Sequence, residues 1–231
     1  MKPEISALPG DASAQEILRT GFEAAVGPVS LACSFSLEDV VIIDLAHELG
    51  LGLGLFALDT GRLNEETYEV ADALVERYGL QIDWYFPKHR QVEQMERAEG
   101  LFSFRESLEK RHACCAIRKV EPLSRALQGL AGWVTGMRRE QSVTRSELNA
   151  IDRDDLNGGI LKINPLIDWS EEQILSYTLE HRLPKNRLYS QGYRSIGCTP
   201  CTRAVEPGED ARAGRWWWEH ADHKECGLHR R

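Results

Sequence analysis

Six cysteines stand in this chain, and their grouping carries chemistry. Cys114 and Cys115 are adjacent, Cys198 and Cys201 form a CxxC, Cys226 lies late and Cys33 stands alone. Four soft ligands in two such pairs can hold zinc or an iron–sulfur cluster. Neighbouring helical residues diverge by ~100°, a consequence of 3.6 residues per turn. Two thiolates splayed that far reach two corners of a bulky cluster more easily than one small ion, which favours iron–sulfur. Cys33 belongs to the apolar run VSLAC and reads as a core thiol. Cys226 sits in KECGLH with Lys224 and His229 nearby, and positive neighbours favour the nucleophilic thiolate.

A second set of residues suits an anion. Arg138, Arg139 and Arg145 lie around Gln141, and Arg203, Arg212 and Arg215 follow in the C-terminal segment. Clustered guanidiniums recognise phosphate or sulfate bidentately, whereas a solvated polar loop is the plainer alternative. Ser34-Phe35-Ser36 follows an apolar run and precedes a helical one. Its hydroxyls suit a phosphate cradle, although it lacks the glycines of a Walker loop and also reads as a plain turn with Ser36 as N-cap. Asp59-Thr60-Gly61-Arg62 ends the next apolar run and reads equally as a tight turn.

These groups need a scaffold, and the periodicities supply one. Helical spacing of Ile17, Leu18, Phe22 and Val26 predicts a helix from about 12 to 25. Val29 to Cys33 reads as a strand, VVIIDLAHEL as a helix, LGLGLFALD as a strand and NEETYEVADALVERYG as a helix. QIDWYF gives a third strand, a long helical stretch runs from about 107 to 127, and GWVTGM gives a fourth strand. RREQSVTRSE and DRDDLNGG read as polar loops, LKINPL as a short strand and 170–181 as a last helix. Strands alternating with helices predict a Rossmann-like α/β fold, a mostly parallel sheet with helices on both faces. From about Pro200 the periodicity disappears, so the expectation is one domain over 1–203 and an irregular C-terminal arm over 204–231. In such sheets ligands sit at the carboxyl ends of the strands.

Composition bounds the rest. The 231 residues carry 28 Lys+Arg against 36 Asp+Glu, a formal net charge of −8, with 42% hydrophobic and 28% charged. That excludes long disorder and argues against bulk nucleic-acid binding. No run approaches a membrane span and the start lacks a signal-peptide pattern, so the expectation is a cytoplasmic protein with no membrane partner. In a reducing compartment, grouped cysteines point to metal or thiol chemistry before disulfides.

Taken together, SFSLEDVV, LDTGRLNEET, CCAIRKVEPL, TGMRREQSVTR, KINPLIDWS, LYSQGYRSIGCTPCTR, GRWWWE and KECGLH closely resemble, in order, the assimilatory adenylyl-sulfate reductases. These share an adenine nucleotide alpha hydrolase-like fold with phosphoadenylyl-sulfate reductases and N-type ATP pyrophosphatases. The resemblance implies reduction of adenosine 5′-phosphosulfate to sulfite and AMP. It implies Cys226 as the nucleophile and Cys114, Cys115, Cys198 and Cys201 as ligands of a 4Fe-4S cluster. Lys119 resembles the family lysine between cluster and substrate. Ser34, Phe35 and Ser36 match the modified phosphate loop, Asp59 and Arg62 the nucleotide-facing turn, and Arg138 or Arg139 with Arg212 and Arg215 the anion contacts. Four cluster cysteines imply preference for adenosine 5′-phosphosulfate over its 3′-phosphorylated form. The chain stops five residues after Cys226, so the electron donor is expected from outside, thioredoxin or a similar dithiol protein. The family further implies a homotetramer.

Other readings are a 3′-phosphoadenylyl-sulfate reductase, an ATP-dependent tRNA sulfurtransferase of the same fold and an iron–sulfur sensor. The sulfurtransferase wants an SGGxDS-type loop, from which SFSLEDV departs, and a basic RNA surface. Neither it nor a sensor explains the terminal KECGLH.

Overall fold

A computed structural model describes residues 8–141 and 148–220; Arg145 and Cys226 lie outside the described residues. The chain opens with α1 (Ala14–Ala24), started by a capping box in which Ser13 Oγ accepts from the Glu16 amide and Glu16 accepts from the Ser13 amide. Then follow β1 (Val29–Cys33), α2 (Leu37–Glu48), β2 (Gly54–Leu58), α3 (Glu65–Tyr78) and β3 (Asp83–Tyr85). The second half contributes α4 (His89–Glu99), α5 (Leu108–Cys115), α6 (Glu121–Ala126), β4 (Gly132–Val134), β5 (Ile151–Asp154), β6 (Ile160–Ile163) and α7 (Glu171–Glu180).

The six strands form one sheet in the order β3-β2-β1-β4-β6-β5. Parallel pairing sets Val29 against Gly132 and Leu31 against Val134, and then Gly132 against Leu161 and Val134 against Ile163. β5 closes the edge antiparallel to β6. The chain works outward from β1 to β3 and then restarts on the other side of β1 with β4. That reversal makes the carboxyl ends of β1 and β4 a topological switch point, where open α/β sheets bind ligands.

Two compact units share the chain, one made of residues to 56, 69–83 and 129–186, the other of 57–68, 84–128 and 187 onward. In the first, β1 buries Val29, Leu31 and Cys33 in strict alternation, and α2 buries every residue from Leu37 to Ala46 except Glu38. Gly21 lets α1 lie close to β6, because a Cβ there would stand 2.6 Å from Ile163 Cδ1.

Three features differ from the sequence expectations. α4 had no forecast, and its HRQVEQMERAE buries no residue. IDRD, read as polar loop, is β5, whose hydrogen bonds to β6 replace the missing apolar pattern. The long helical stretch exists but is not uniform: α5 passes directly after Cys115 into a π-helical turn, Ala116–Val120, before α6. The described part of the C-terminal segment is irregular as expected, with one isolated bridge between Thr202 and Arg215. Among the described residues no helix is long and apolar enough to cross a membrane.

Candidate active site

In the first unit, the loop after β1 stands at the switch point. Phe35 is buried and holds φ at 62°, a left-handed conformation costly for a bulky residue. Asp39, in the first turn of α2, secures the bend: its Oδ2 accepts from the Ser34 amide at 2.6 Å and the Ser34 hydroxyl at 2.7 Å. Ser36 occupies the N-cap position but makes no side-chain cap bond. Burial pushes the Asp39 carboxyl up to about 6; the Ser34 bonds oppose this, Glu38 reinforces it, and Ser36 opposes it. At the end of β4, Gly136 leaves room for this helix start, since a Cβ would fall 2.7 Å from Glu38 Cβ and 2.8 Å from Asp39 Oδ1. Arg138, buried, donates from Nε to Glu38 at 3.0 Å and from Nη1 to Glu140 and the Trp169 carbonyl. Arg139 donates to the Leu148 carbonyl and pairs with Asp168. Of the two arginines, Arg138 is therefore the one tied to the helix that carries the loop.

In the second unit, Cys114, Cys115, Cys198 and Cys201 line a single cavity. The residues around it are Arg62, Arg111, Arg118, Lys119 and Arg215, with Phe104 and Trp216. The π-helical turn widens the helix directly after the cysteine pair, a deviation common at functional sites. Thr60 Oγ1 lies 3.3 Å from Cys198 Sγ, and its carbonyl accepts from Arg118 Nη1 at 2.7 Å. Asp59 is buried and accepts from the Gly61 amide and the Tyr68 hydroxyl, both at 2.7 Å, which pins the turn leading to Arg62. Arg62 and Arg118 share Glu96. Arg215 donates to Ser195 and to the Ile196 carbonyl, and the guanidiniums of Arg111 and Arg215 both stand over the Trp216 ring, 4.6 and 4.7 Å from its centre. Arg212, half-buried, follows Asp210 in the turn before this segment, and its amide donates to that carboxylate.

The electrostatics of the cavity are uneven. Burial would raise the Cys198 thiol, but Lys119, the Thr60 hydroxyl, Arg215 and Arg118 outweigh it and hold the group below its ordinary value. Burial, reinforced by Cys198, pushes Cys201 up to about 12. Cys114 is raised by burial against Arg118 and Arg62. Cys33 lies well above the usual range, buried in β1 beside Asp39, as suits an inert core thiol.

The donor set fits a cluster on a separate observation. Arg62 Nη1 and Arg118 Nε are buried without a hydrogen-bond partner, and both residues line the cavity of the thiols. Buried donors of this kind call for acceptors, which thiolate and sulfide sulfurs supply.

Sequence reasoning did not single out Arg111, Arg118 or Asp39, and it named Thr60 only as part of the turn from Asp59 to Arg62. Arg118 could have been found, since it follows Cys114 by four positions and so shares its helix face. The contact of Thr60 with Cys198 could not, because the two are 138 residues apart.

Residues 28–204 match the phosphoadenosine phosphosulfate reductase domain. The adenosine 5′-phosphosulfate reductase of Burkholderia cepacia is 50% identical over 201 residues, 87% of this chain and 80% of that protein. That of Allochromatium vinosum is 49% identical over 203 residues, covering 88% and 79%. Among solved structures, the phosphoadenylyl-sulfate reductase of Candida auris in a phosphate complex aligns with TM-score 0.68 and 28% identity over 84% of this chain and 91% of that one.

Proposed function

This chain belongs to the phosphoadenosine phosphosulfate reductase family, and on that premise we propose that it reduces adenosine 5′-phosphosulfate to sulfite and AMP in sulfate assimilation. The observation that carries the detailed reading is the thiol cavity, where two cysteine pairs far apart in sequence meet among five cationic side chains. Cys114, Cys115, Cys198 and Cys201 would hold a 4Fe-4S cluster. When bound, it supplies a compact anionic centre that ties the helical segment to the CxxC segment.

The chemistry needs a sulfur nucleophile, and Cys226 is that group in this reading. Its thiolate attacks the sulfate sulfur, the new S–S bond forms, and the S–O bond to phosphate breaks with its electron pair leaving on AMP. The product on the protein is an S-sulfocysteine. A dithiol protein such as thioredoxin then attacks Cys226 Sγ, expels sulfite and forms a mixed disulfide, which its second thiol resolves. The dithiol thereby supplies the two electrons. Ser34, Phe35 and Ser36 at the switch point take the phosphate, with Arg138, whose position Glu38 fixes, and Arg139 beside them as anion contacts. Asp59 shapes the turn that presents Arg62, and Lys119, Arg212 and Arg215 offset the charge that a thiolate and a sulfate would otherwise repel. Residues 1–203 form the nucleotide and cluster domain and 204–231 the arm that brings the nucleophile. The protein acts in the cytoplasm as a homotetramer.

The test is anaerobic incubation with adenosine 5′-phosphosulfate followed by intact mass and peptide mapping. A sulfo adduct should map to Cys226, form more readily than with the 3′-phosphorylated substrate, and disappear together with turnover in Cys226→Ser. An adduct that persists in that variant, or maps to Cys33, refutes the assignment.

A further inference from the structure

α4 buries no residue, yet one of its side chains reaches the wall of the thiol cavity. Glu96 Oε1 accepts from Arg62 Nη2 at 2.8 Å and from Arg118 Nη2 at 2.5 Å, so a single carboxylate oxygen answers two guanidiniums. Among the described residues no other carboxylate pairs with either arginine. Their remaining side-chain hydrogen bonds run to carbonyl oxygens, from Arg62 to Leu101 and from Arg118 to Thr60. Arg62 Nη1 and Arg118 Nε have no hydrogen-bond partner.

The two arginines line two openings. One is the thiol cavity with its four cysteines, and the other is a wide groove beside α4 whose walls include Phe86, Val92, Phe102 and Pro200. Glu96 lines the groove and not the thiol cavity. Its charge therefore acts on the sulfurs from the groove side, through the guanidiniums it holds. The field of those guanidiniums reaches the thiols: burial raises Cys114, and Arg118 and then Arg62 pull against it. With Arg118 buried and the other two half-buried, the three charges are only partly screened by water and salt.

We propose that Glu96 is a positioning residue for the sulfur centre: from the groove its carboxylate fixes Arg62 and Arg118 at the cavity wall and cancels part of their charge, which sets the positive field on the four cysteines. The inference rests on the reading of those cysteines as ligands of a 4Fe-4S cluster. Glu96 itself bonds to none of the sulfurs.

The sign of the effect follows from the charge. Glu96→Gln keeps a side-chain oxygen for the two Nη2 donors and removes the negative charge, so the cavity becomes more positive. Net charge and hydrogen bonds to sulfur set how readily such a cluster gives up an electron, and a more positive surround resists oxidation. One charge removed from a partly buried site changes that equilibrium by about tenfold, and a rate that feels half of it by about threefold. Molecular oxygen is neutral, so its approach is indifferent to the change. Loosened packing would act in the opposite direction, because an exposed cluster is attacked faster.

The experiment compares wild type, Glu96→Gln and Glu96→Asp as anaerobically purified holoprotein. Three quantities are read on each: iron content, the resonance Raman bands of the Fe–S(Cys) stretches, and the rate at which visible absorption bleaches in air. Glu96→Gln should keep wild-type iron and bleach about threefold more slowly. Its bands should shift to lower frequency, since guanidiniums relieved of their carboxylate draw electron density from the thiolates. Glu96→Asp keeps the charge and should match the wild type in both. A Glu96→Gln rate equal to wild type or faster, unshifted bands, loss of iron from that variant, or the same slowing in Glu96→Asp overturns the inference. A wild type that holds no iron sinks the cluster reading instead, and the inference with it, whereas the adduct on Cys226 is read separately by mass and decides the reduction chemistry.

Discussion

Replacing Asp39 by asparagine should change how stability depends on pH, and the size of the change follows from the loop after β1. The carboxyl is 3% exposed and is pushed up to about 6 from an ordinary value of 3.8, with burial as the leading cause. The folded state thus binds a proton that the unfolded chain has already released. Stability from this group is full below about 3.8 and is lost as pH rises through about 6. At ~1.4 kcal/mol for each pH unit of displacement, the whole effect is about 3 kcal/mol, and about 2 kcal/mol of it falls between pH ~4.5 and ~7.5. The side-chain amide of the Asp39→Asn variant keeps an oxygen for the Ser34 amide and hydroxyl but has nothing to ionise. The melting temperature of Asp39→Asn relative to wild type should therefore rise by about 4–8 °C across that interval in a chain of this length. Paired thermal scans in matched buffers test this. Parallel curves for the two proteins would show that Asp39 is ionised at ordinary carboxylate pH and that its burial is offset elsewhere.

Two further perturbations address the two units separately. Cys198→Ser should abolish the brown colour and the iron of anaerobically purified protein, as metal analysis would show; a wild type that is colourless and holds one zinc refutes the cluster. Gly136→Ala forces a Cβ against Glu38 and Asp39 Oδ1, so the helix start must shift and nucleotide affinity should fall by about tenfold or more while iron is retained. Unchanged binding of AMP by that variant in a fluorescence titration counts against the switch-point loop as the phosphate site.

The elements that could be read from sequence are those whose burial imposes a period. β1 alternates, and α7 carries both halves of its capping box, Ser170 and Gln173, in the sequence itself. α4 escaped because no residue of it is buried and Val92 and Met95 are its only large apolar residues, a period too short to announce a helix. β5 escaped because only Ile151 is buried; its strand character comes from pairing with β6, a non-local cause. The same division runs through the site. Grouped cysteines announce themselves by type and spacing, whereas the bond from Thr60 to Cys198, the ion pair of Arg111 with Glu219 and the left-handed Phe35 arise only once distant segments meet. The π-helical turn after Cys115 has no signature in AIRKV alone.

The placement of charge explains why an acidic chain gathers its guanidiniums here. Arg62 and Arg118 share one carboxylate, Glu96, and Arg111 takes another, Glu219, so three guanidiniums meet two carboxylates at the wall of the cavity. Lys119 and Arg215 add to the same wall. A buried surplus of positive charge is expensive unless anions answer it. The four thiols can do so only as thiolates, and burial alone drives Cys114 and Cys201 the other way. Metal coordination deprotonates a thiol outright, which removes that conflict. Under the proposed reading, with all four sulfurs ionised and bound, the buried donors Arg62 Nη1 and Arg118 Nε would belong to residues that line the same cavity as those acceptors. A pair of inert core thiols would need none of these cations, as Cys33 in its apolar strand illustrates.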